Sequence, residues 1–364
     1  MSIRAIDHPM ARPQLTVIVP AADRRPTLTP CLEAIVAADD PPDEVVVADG
    51  PAPLGSAQAR NEGALKATGD VLVFVDSDVR VRADAFTRIR EAFGRDPSLS
   101  ALFGAYDEAP PSGLVSSFRN LLHTHVHQIS AGPSRSFWTG IGAIRREAFL
   151  ELGGFDVSYP WIRDIDLGMR LCAHGHRTEL DPSIQGSHLK QWTLREMLRT
   201  DFARRGKPWI FLLLQHRSVP ADLNLGWRHR LSASLSLLLG LSLLRRRAAW
   251  GSAASLGIVG LNHRLYAMLA ARSGRRSLPA AFLLHVIHHL VSALTVPAGV
   301  LQYIRAGRPE PPESSFASLS VRSSPAAGQR RLEPPKPLPV PLAQSPHTRD
   351  DSGSHQGQGE KSAA

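Results

Sequence analysis

The stretch VLVFVDSD, residues 71–78, decides the fold, because an apolar run of five residues ends directly on two acidic side chains. A short, β-branched apolar run bounded by polar residues predicts a buried strand. Two earlier runs, LTVIV at 15–19 and EVVV at 44–47, predict two more buried strands, and the segments between the three have helical spacing. This alternation predicts an α/β fold with a Rossmann-like, mostly parallel sheet.

Acidic residues stand at or just after the ends of these predicted strands, namely Asp23, Asp49, Asp76 and Asp78. Ligands of parallel sheets bind at the carboxyl ends of the strands, so we expect a site there. Two carboxylates at i and i+2 can share one hard divalent cation, or divide between a cation and ribose hydroxyls. A cation at this position neutralises the negative charge that develops on a departing diphosphate.

The net charge indicates which partners the protein binds, and the cysteine content indicates the state of its thiols. The net charge is +9 and the sequence pI is near 10.2. Arginines such as Arg245–Arg247 flank apolar segments, which favours a membrane surface over nucleic acid as the partner. Cys31 and Cys172 stand far apart and predict two reduced thiols. The polar start, Met1 to Gln14, has no apolar signal core, so we expect the first domain on the cytosolic side.

The chain divides into four predicted regions. An N-terminal extension (1–14) precedes a globular domain (15–225), a membrane-embedded region (226–305) and a disordered tail (306–364) rich in Pro, Ser, Gln and Gly. Within the membrane region, 231–244 and 248–261 are too short for straight spans and predict a hairpin, a re-entrant pair or two short spans. The stretch 278–304 is long enough to cross, and three histidines, at 285, 288 and 289, share one face of it.

Two further patterns have open interpretations. Thr193 and Glu196 form a capping box, which opens an amphipathic helix with Arg204 and Arg205 on its polar face. That helix is either a membrane-interface element or a surface helix packed on the domain. The alternating histidines at 123, 125 and 127 lie in a predicted loop or strand, where a metal-binding role is the less favoured interpretation.

Several motifs stand in a fixed order along residues 15–210. They are VPAADR (19–24), VADG (47–50), ARNEG (59–63), VDSD (75–78), RREAF (145–149), GGFD (153–156) and WIRDIDL (161–167). Taken together they resemble the family 2 glycosyltransferases, which have the A-type nucleotide-sugar fold. The resemblance implies that a sugar passes from a nucleotide-sugar donor to an acceptor in one in-line displacement with inversion.

The resemblance also implies roles for individual residues. Asp164 matches the base that accepts the acceptor's proton, with Asp166 as the alternative. The positions implied to bind the donor are Pro20, Asp23, Asp49, Arg60 and Asp76. The positions implied to hold a divalent cation, Mn²⁺ or Mg²⁺, are Asp76, Asp78 and His188.

Three positions depart from the family pattern. Ala48 and Pro51 replace an acidic and a hydroxyl residue at the nucleobase strand, which leaves the nucleotide undefined. Arg163 replaces the acid before Asp164, and we expect its charge to lower the pKa of that carboxyl. The Gln-x-x-Arg-Trp signature of processive synthases is not found, which favours transfer of single sugars.

The membrane region resembles the C-terminal part of integral members of this family, on the motif NHRLY (262–266) and a final span. This implies a lipid-linked or membrane-associated acceptor and a multi-pass protein of the cell membrane with a cytoplasmic catalytic domain. Two alternatives remain open at this point. One is sugar-nucleotide or phosphoryl transfer on the same fold, and the other is a catalytically weak membrane scaffold.

Overall fold

Three parallel strands form the first half of the sheet in the computed structural model, which describes residues 12–21, 26–48 and 55–309 of the chain. Strand β1 (Leu15–Pro20) lies between β2 (Glu44–Ala48) and β3 (Val71–Val75) and is parallel to both. β1 and β3 are fully buried, as predicted. β2 is the edge strand, and Val45 and Val47 are 39% and 43% exposed, so the prediction of a buried second strand is wrong.

The second half of the sheet is largely antiparallel, which corrects the prediction of a mostly parallel sheet. Its strands are β4 (Val79–Val81), β5 (Leu99–Tyr106), β6 (Gly132–Ser134), β7 (Ile141–Arg145) and β8 (Arg177–His188). The strand order is β2-β1-β3-β7-β5-β8-β4, with β6 paired to β8. β7 is antiparallel to both neighbours, because it begins at the edge where β3 and β5 end. The residues just before β7 therefore lie beside the carboxyl end of β3.

Six helices connect or flank these strands. They are α1 (Leu28–Val36), α2 (Gly55–Lys66), α3 (Ala85–Arg95), α4 (Leu114–Ile129), α5 (Arg146–Glu151) and α6 (Arg163–Ala173). The histidines at 123, 125 and 127 lie on α4, so the prediction of a loop or strand there is wrong.

A buried amide joins two of the motifs on which the family resemblance rests. Asn61 on α2 donates from Nδ2 to the Phe155 carbonyl at 2.8 Å and accepts from the Phe155 N–H at 2.9 Å. Phe155 packs edge-on against Phe74 of β3, with ring centroids 5.0 Å apart. ARNEG and GGFD, far apart in sequence, therefore form one packed unit under the sheet.

A long helix with an irregular centre follows β8. The capping box is confirmed, since Thr193 Oγ1 accepts from the Glu196 N–H at 3.2 Å and Glu196 Oε2 accepts from the Thr193 N–H at 3.3 Å. The helix has three parts, α7 (Leu194–Arg199), a π-helical segment (Thr200–Gly206) and α8 (Lys207–Gln215). The π-helical segment faces the domain, and Thr200 and Asp201 are buried.

The C-terminal helices form a hairpin and a long packed helix. They are α9 (Trp227–Leu244), α10 (Ala248–Leu261), α11 (His263–Ser273) and α12 (Leu278–Arg305). α9 and α10 pack closely as an antiparallel hairpin, since a Cβ on Gly251 would lie 2.8 Å from Ser242 Oγ.

Among the described residues one helix, Arg275–Arg305, is long and apolar enough to cross a membrane. The part of this helix that carries His285, His288 and His289 is buried inside the protein. Of the most apolar window of this helix, 39% is buried inside the protein.

Candidate active site

The three carboxylates that the sequence singled out line one cleft at the carboxyl end of β3. Asp76, Asp78 and Asp164, together with His188, border a cavity of about 330 Å³, which we call the carboxylate cleft. These residues come from the β3–β4 turn, the first turn of α6 and the end of β8. The sheet thus brings together side chains that are as much as 112 positions apart in sequence, from 76 to 188.

Asp76 is held by a buried arginine. Arg60 on α2 is 8% exposed and forms an ion pair with Asp76 Oδ1. Arg60 Nη1 also donates to Ser56 Oγ at 3.1 Å, and its guanidinium lies over the Phe155 ring. The backbone N–H of Asp76 donates to the Gly140 carbonyl at 3.3 Å. Arg60 therefore fixes the orientation of Asp76 from behind.

Asp78 and His188 lie side by side because β4 pairs with β8. Val79 is opposite His188 in this antiparallel pair, and His188 Nε2 lies 3.8 Å from Asp78 Oδ2. Tyr106 stacks on the His188 ring with centroids 4.4 Å apart and planes 10° apart. Burial, followed by the charges of Asp78 and Asp76, raises the pKa of Tyr106 well above its usual value, so the phenol stays neutral. The stacked ring holds the imidazole toward Asp78.

Asp164 is presented by a strained turn. Ile162, at the start of α6, has φ 55° and ψ 31°, a left-handed conformation that is rare for a β-branched residue. Such strain costs roughly 1–3 kcal/mol and is typical of functional sites. Gly168 lets α6 approach closely, because a Cβ there would lie 2.3 Å from the Phe137 backbone nitrogen. The strained turn and the close packing together place Asp164 at the cleft.

The environment of Asp164 raises its pKa. Burial is the largest cause, and Arg60 and Arg205 oppose it while Asp76 adds to it. The prediction of a lowered pKa is wrong, because burial of the carboxyl outweighs the nearby positive charges. A carboxylate with a raised pKa is a better proton acceptor than a solvated one.

Asp166 belongs to the core and not to the carboxylate cleft. It is 1% exposed, and its two oxygens bond to Arg170 at 2.8 Å and to His216 Nε2 at 3.0 Å. Arg170 in turn donates to the Leu152 and Gly154 carbonyls. The structure therefore corrects the prediction of Asp166 as an alternative base, since both of its oxygens are committed to holding α6 in place.

A basic and aromatic wall faces the carboxylates. The cationic residues that line it are Arg119, Lys190, Arg204 and Arg205, and the aromatic ones include Trp138, Trp161, Trp192 and Trp209. Lys190 Nζ lies 4.1 Å from the centroid of the Trp192 ring, and Arg204 lies over Trp161 at 4.7 Å. This wall places positive charge opposite the carboxylates, where an anionic leaving group could be held.

Most of this wall was not predicted from the sequence. Arg204 and Arg205 were expected on the outer, polar face of a helix, but the π-helical segment directs them into the cleft. The alternating histidines were another signal, because His123 and His127 stack on the same face of α4 and line the same cavity. Burial lowers the pKa of His127 to about 4 and lowers that of His123 well below its usual value, so both rings are neutral.

One known protein family matches the part of the chain that carries Arg60, Asp76 and Asp78. Residues 50–153 match the profile of Glycosyl transferase family 2. This segment is a family 2 glycosyltransferase domain. The matched segment includes Arg60, Asp76 and Asp78, and it ends at Gly153, before the α6 turn that carries Asp164. The search of curated proteins gave no match to this glycosyltransferase.

Solved structures of glycosyltransferases show a distant similarity. The mannosyltransferase PcManGT from Pyrobaculum calidifontis, in complex with GDP-Man and Mn²⁺, is 16% identical, with 79% of this chain and 88% of that chain covered and a TM-score of 0.42. GalNAc-T7 with UDP, GalNAc and Mn²⁺ is 15% identical over 57% and 48%, with a TM-score of 0.39. Glucosyl-3-phosphoglycerate synthase from Mycobacterium tuberculosis is 16% identical over 56% and 80%, with a TM-score of 0.36.

The remaining predicted donor-binding positions of the glycosyltransferase are only partly described. Pro20 is buried at the end of β1, where its register partner is Ala48. Asp23 and Asp49 lie outside the described residues, and so does the predicted disordered tail from residue 310 onward. Cys31 is buried, and burial together with the nearby Asp76 and Asp78 raises the pKa of its thiol to about 12.

The carboxylate cleft has a donor set that fits a divalent cation. Carboxylate oxygens with one imidazole suit Mn²⁺ or Mg²⁺. Asp78 Oδ2 and His188 Nε2, at 3.8 Å, are slightly wider apart than the about 3 Å between adjacent ligands of one octahedral ion. Asp76 Oδ1 is engaged by Arg60. Asp78 and His188 are therefore the best-placed ligands, and Asp76 adjoins them.

An apolar cavity opens beside the carboxylate cleft. It has a volume of about 430 Å³ and lies between α8, α9 and α12, with Leu213, Ala233 and Val296 among its lining residues. Five residues line both cavities: Arg119, Arg205, Trp209, Asn224 and His288. A hydrophobic chain in the apolar cavity would thus end next to the carboxylates.

Proposed function

We propose that this glycosyltransferase moves one sugar, with inversion, from a nucleotide-sugar donor to a hydroxyl of a membrane lipid, with Asp164 as the base. One observation carries this proposal: Asp164 borders the same cavity as Asp76, Asp78 and His188. A base and a diphosphate-binding group must stand on either side of the sugar carbon for an in-line displacement. The carboxylate cleft supplies both within one cavity.

The chemistry follows from these positions. The acceptor oxygen attacks the anomeric carbon, its proton passes to the Asp164 carboxylate, and the bond to the nucleoside diphosphate breaks with its electron pair on the leaving oxygen. A divalent cation held by Asp78 and His188, with Asp76 beside it, would neutralise charge on the leaving diphosphate. Arg204 and Arg205 supply further positive charge for the same diphosphate.

The apolar cavity supports a lipid acceptor. Aliphatic side chains of α8, α9 and α12 line much of it, and it meets the cleft at Trp209 and Asn224. A lipid tail in this cavity places its polar headgroup among the carboxylates, whereas a soluble sugar acceptor would leave the cavity unused. The acceptor is therefore a lipid whose hydroxyl stands next to its hydrophobic tail.

The hairpin of α9 and α10 supports membrane association. Several of its leucines are exposed, among them Leu243 at 71%, Leu244 at 82% and Leu256 at 74%. The arginines of the connecting turn, Arg245–Arg247, are exposed beside them. Apolar side chains bordered by arginines suit the headgroup boundary of an anionic bilayer. We infer that this hairpin and the exposed side of α12 lie in the membrane of the cell, with the cleft on the cytoplasmic side.

The test is a panel of labelled nucleotide sugars supplied to membranes that contain the full-length protein. We expect label in the lipid fraction, dependent on Mn²⁺ or Mg²⁺. Asp164→Asn is expected to lower the transfer rate by roughly 10²–10⁴-fold, the usual contribution of a general base. The matched control is Asp84→Asn, an exposed carboxylate on the surface. If Asp164→Asn and Asp78→Ala both transfer sugar at the wild-type rate, the mechanism is wrong.

A second pair of variants tests the lipid acceptor separately. Ala233→Trp fills the apolar cavity, and Ala249→Trp makes the same change on an exposed face of the hairpin. We expect the first to reduce transfer to lipid while hydrolysis of the donor persists, and the second to leave both reactions unchanged. Equal transfer by the two variants would contradict a lipid in this cavity. Phosphate transfer from the donor in place of sugar would favour phosphoryl-transfer chemistry instead.

A further inference from the structure

Three histidines form a cluster between the hairpin and the domain. His229 near the start of α9 and His288 and His289 on α12 each bring one ring nitrogen within 4.8 Å of the others. Within residues 12–21, 26–48 and 55–309, no other three side chains of His, Cys, Asp or Glu come this close. His288 and His289 are 5% and 1% exposed, and His229 is half-buried beside them.

Two nitrogens of this cluster have no hydrogen-bond partner. His288 Nε2 and His289 Nδ1 are fully buried and unpaired. Unpaired buried polar atoms are rare in native proteins because the desolvation of each is uncompensated. An electron-pair acceptor at the centre of the cluster would satisfy both nitrogens at once.

The opposite nitrogen of His288 is fixed by a carboxylate. His288 Nδ1 lies 2.8 Å from Asp201 Oδ2, and Asp201 Oδ1 pairs with Arg119 at 2.7 Å. Asp201 can only accept here, so the proton sits on Nδ1 and the lone pair of His288 is on Nε2. A carboxylate that bonds to the far nitrogen of a ligating histidine is the usual outer support of protein metal sites.

A second relay orients His289. His289 Nε2 lies 3.0 Å from His285 Nε2, and His285 Nδ1 lies 2.9 Å from the Tyr266 hydroxyl. One direction of this chain has His289 Nε2–H donating to His285 and His285 Nδ1–H donating to Tyr266. In that direction the lone pair of His289 is on Nδ1, the atom that has no other partner.

We propose that His229, His288 and His289 bind a transition-metal ion of the Zn²⁺ class, at a site distinct from the Asp78–His188 pair of the carboxylate cleft. Three neutral imidazoles suit Zn²⁺, Cu²⁺ or Ni²⁺ and not the oxygen-preferring Mg²⁺. Zn–N distances of about 2.0–2.1 Å place tetrahedral ligands about 3.4 Å apart, so each ring needs to move by about 1 Å or less. The ion would fasten α9 to α12.

A cavity beside the cluster can supply the fourth ligand of the ion. His229 and His289 both line a cavity of about 230 Å³ that His125 and His285 also line. Both ring nitrogens of His125 are buried and unpaired. A water molecule in this cavity, or the His125 ring itself, is available as the fourth ligand. The site thus joins α4, α9 and α12 beside the Arg119–Asp201 pair.

The experiment measures bound zinc in the untagged full-length protein in detergent. The protein is stripped with EDTA, loaded with ZnCl₂, passed over chelating resin and analysed by elemental mass spectrometry. We expect about one Zn²⁺ per chain, as for other closed histidine sites. His229→Ala and His289→Ala are expected to lower retained zinc at least tenfold, and Tyr266→Phe to weaken the affinity by about 10–100-fold.

Two controls separate this site from other histidines and from the cleft. His263→Ala removes an exposed histidine of the same region and should retain zinc. Asp78→Ala should retain it as well, and loss of zinc in that variant would place the ion in the carboxylate cleft and overturn the proposal. Wild-type protein without zinc, or retention by both His229→Ala and His289→Ala, overturns it too.

Where the histidine variants do not fold, wild-type protein loaded with Co²⁺ decides the question. Visible absorption bands of tetrahedral, nitrogen-bound Co²⁺ support the site. A spectrum of purely octahedral, oxygen-bound Co²⁺ contradicts it. The melting temperature of the wild-type protein should also rise with added Zn²⁺, since an ion that binds only the folded state stabilises it.

Discussion

The buried ion pair between Arg119 and Asp201 allows a quantitative test of the structure around the carboxylate cleft. Arg119 Nη1 lies 2.7 Å from Asp201 Oδ1, and the two side chains are 9% and 2% exposed. Asp201→Asn keeps the shape of the side chain but removes its charge. The Arg119 guanidinium, on the buried face of α4, is then left without its counter-charge.

The expected loss of stability follows from the burial of this ion pair. Removing one partner of a buried ion pair costs about 3–5 kcal/mol, whereas an exposed pair contributes about 0–1 kcal/mol. Arg88 and Asp84 provide a matched pair with the same 2.7 Å separation but side chains 44% and 40% exposed. We therefore expect Asp201→Asn to lower the free energy of unfolding by about 3–5 kcal/mol, and Asp84→Asn by less than about 1 kcal/mol.

The pH of the measurement matters. Burial alone would raise the pKa of Asp201, but Arg119 and His288 together bring it below its usual value. A carboxylate with a depressed folded-state pKa contributes its stability above the unfolded pKa of about 4 and loses it as the pH falls further. The full effect of Asp201→Asn is therefore expected at pH 7, and it should shrink below about pH 4.

The assay is urea unfolding of EDTA-treated protein in detergent, followed by circular dichroism, with the midpoints of the variants compared. EDTA keeps any metal at the histidine cluster from adding to the difference. The double variant Arg119→Met/Asp201→Leu should recover much of the lost stability, because apolar replacement of a buried pair is often neutral or stabilising. Equal midpoints for Asp201→Asn and Asp84→Asn would refute the reasoning.

Three further predictions concern Asp164 and the residues that influence its charge or its position. Arg205→Met should move the acidic limb of the kcat/KM profile to higher pH, because Arg205 lowers the pKa of Asp164, and an unmoved limb in a pH–rate series would contradict this. Asp164→Asn should raise the melting temperature at pH 7, since a carboxyl with a raised folded-state pKa costs stability above its unfolded pKa, and calorimetry checks it. Gly168→Ala should lower the free energy of unfolding by at least about 1–3 kcal/mol, because the added Cβ would collide with Phe137. Gly240→Ala, whose added Cβ would have nothing within 4 Å, should leave stability unchanged or raise it. Urea unfolding compares the two variants.

Local patterns predicted the first half of the fold well. The run at 71–75 ends on Asp76 and Asp78 as expected, since an apolar strand and the polar turn after it are both set by neighbouring residues. The capping box at Thr193 was predicted for the same reason, since it depends only on residues three positions apart. The orientation of β7 was not predictable in this way, because it depends on which edge of the sheet the chain reaches after α4.

The candidate site was predicted only where a motif carries the residue. Asp164 matches a family motif and lines the cleft, while Asp166, two positions on, points into the core to bond with His216. Arg205 has no motif, and its direction depends on the π-helical segment, which no periodicity revealed. Tyr106 reaches the cleft only because β5 ends beside β8. Side chains fixed by long-range pairing have no local signal.

The π-helical segment Thr200–Gly206 sets the rotational phase of everything that follows it in the same helix. An α-helix advances by about 100° per residue, so deleting one residue there, which would restore a regular helix, would turn α8 by about that angle. Trp209 would leave the boundary between the two cavities, and the aliphatic side chains of α8 would swing toward α6. The length of this one segment thus determines whether the apolar cavity opens into the carboxylate cleft.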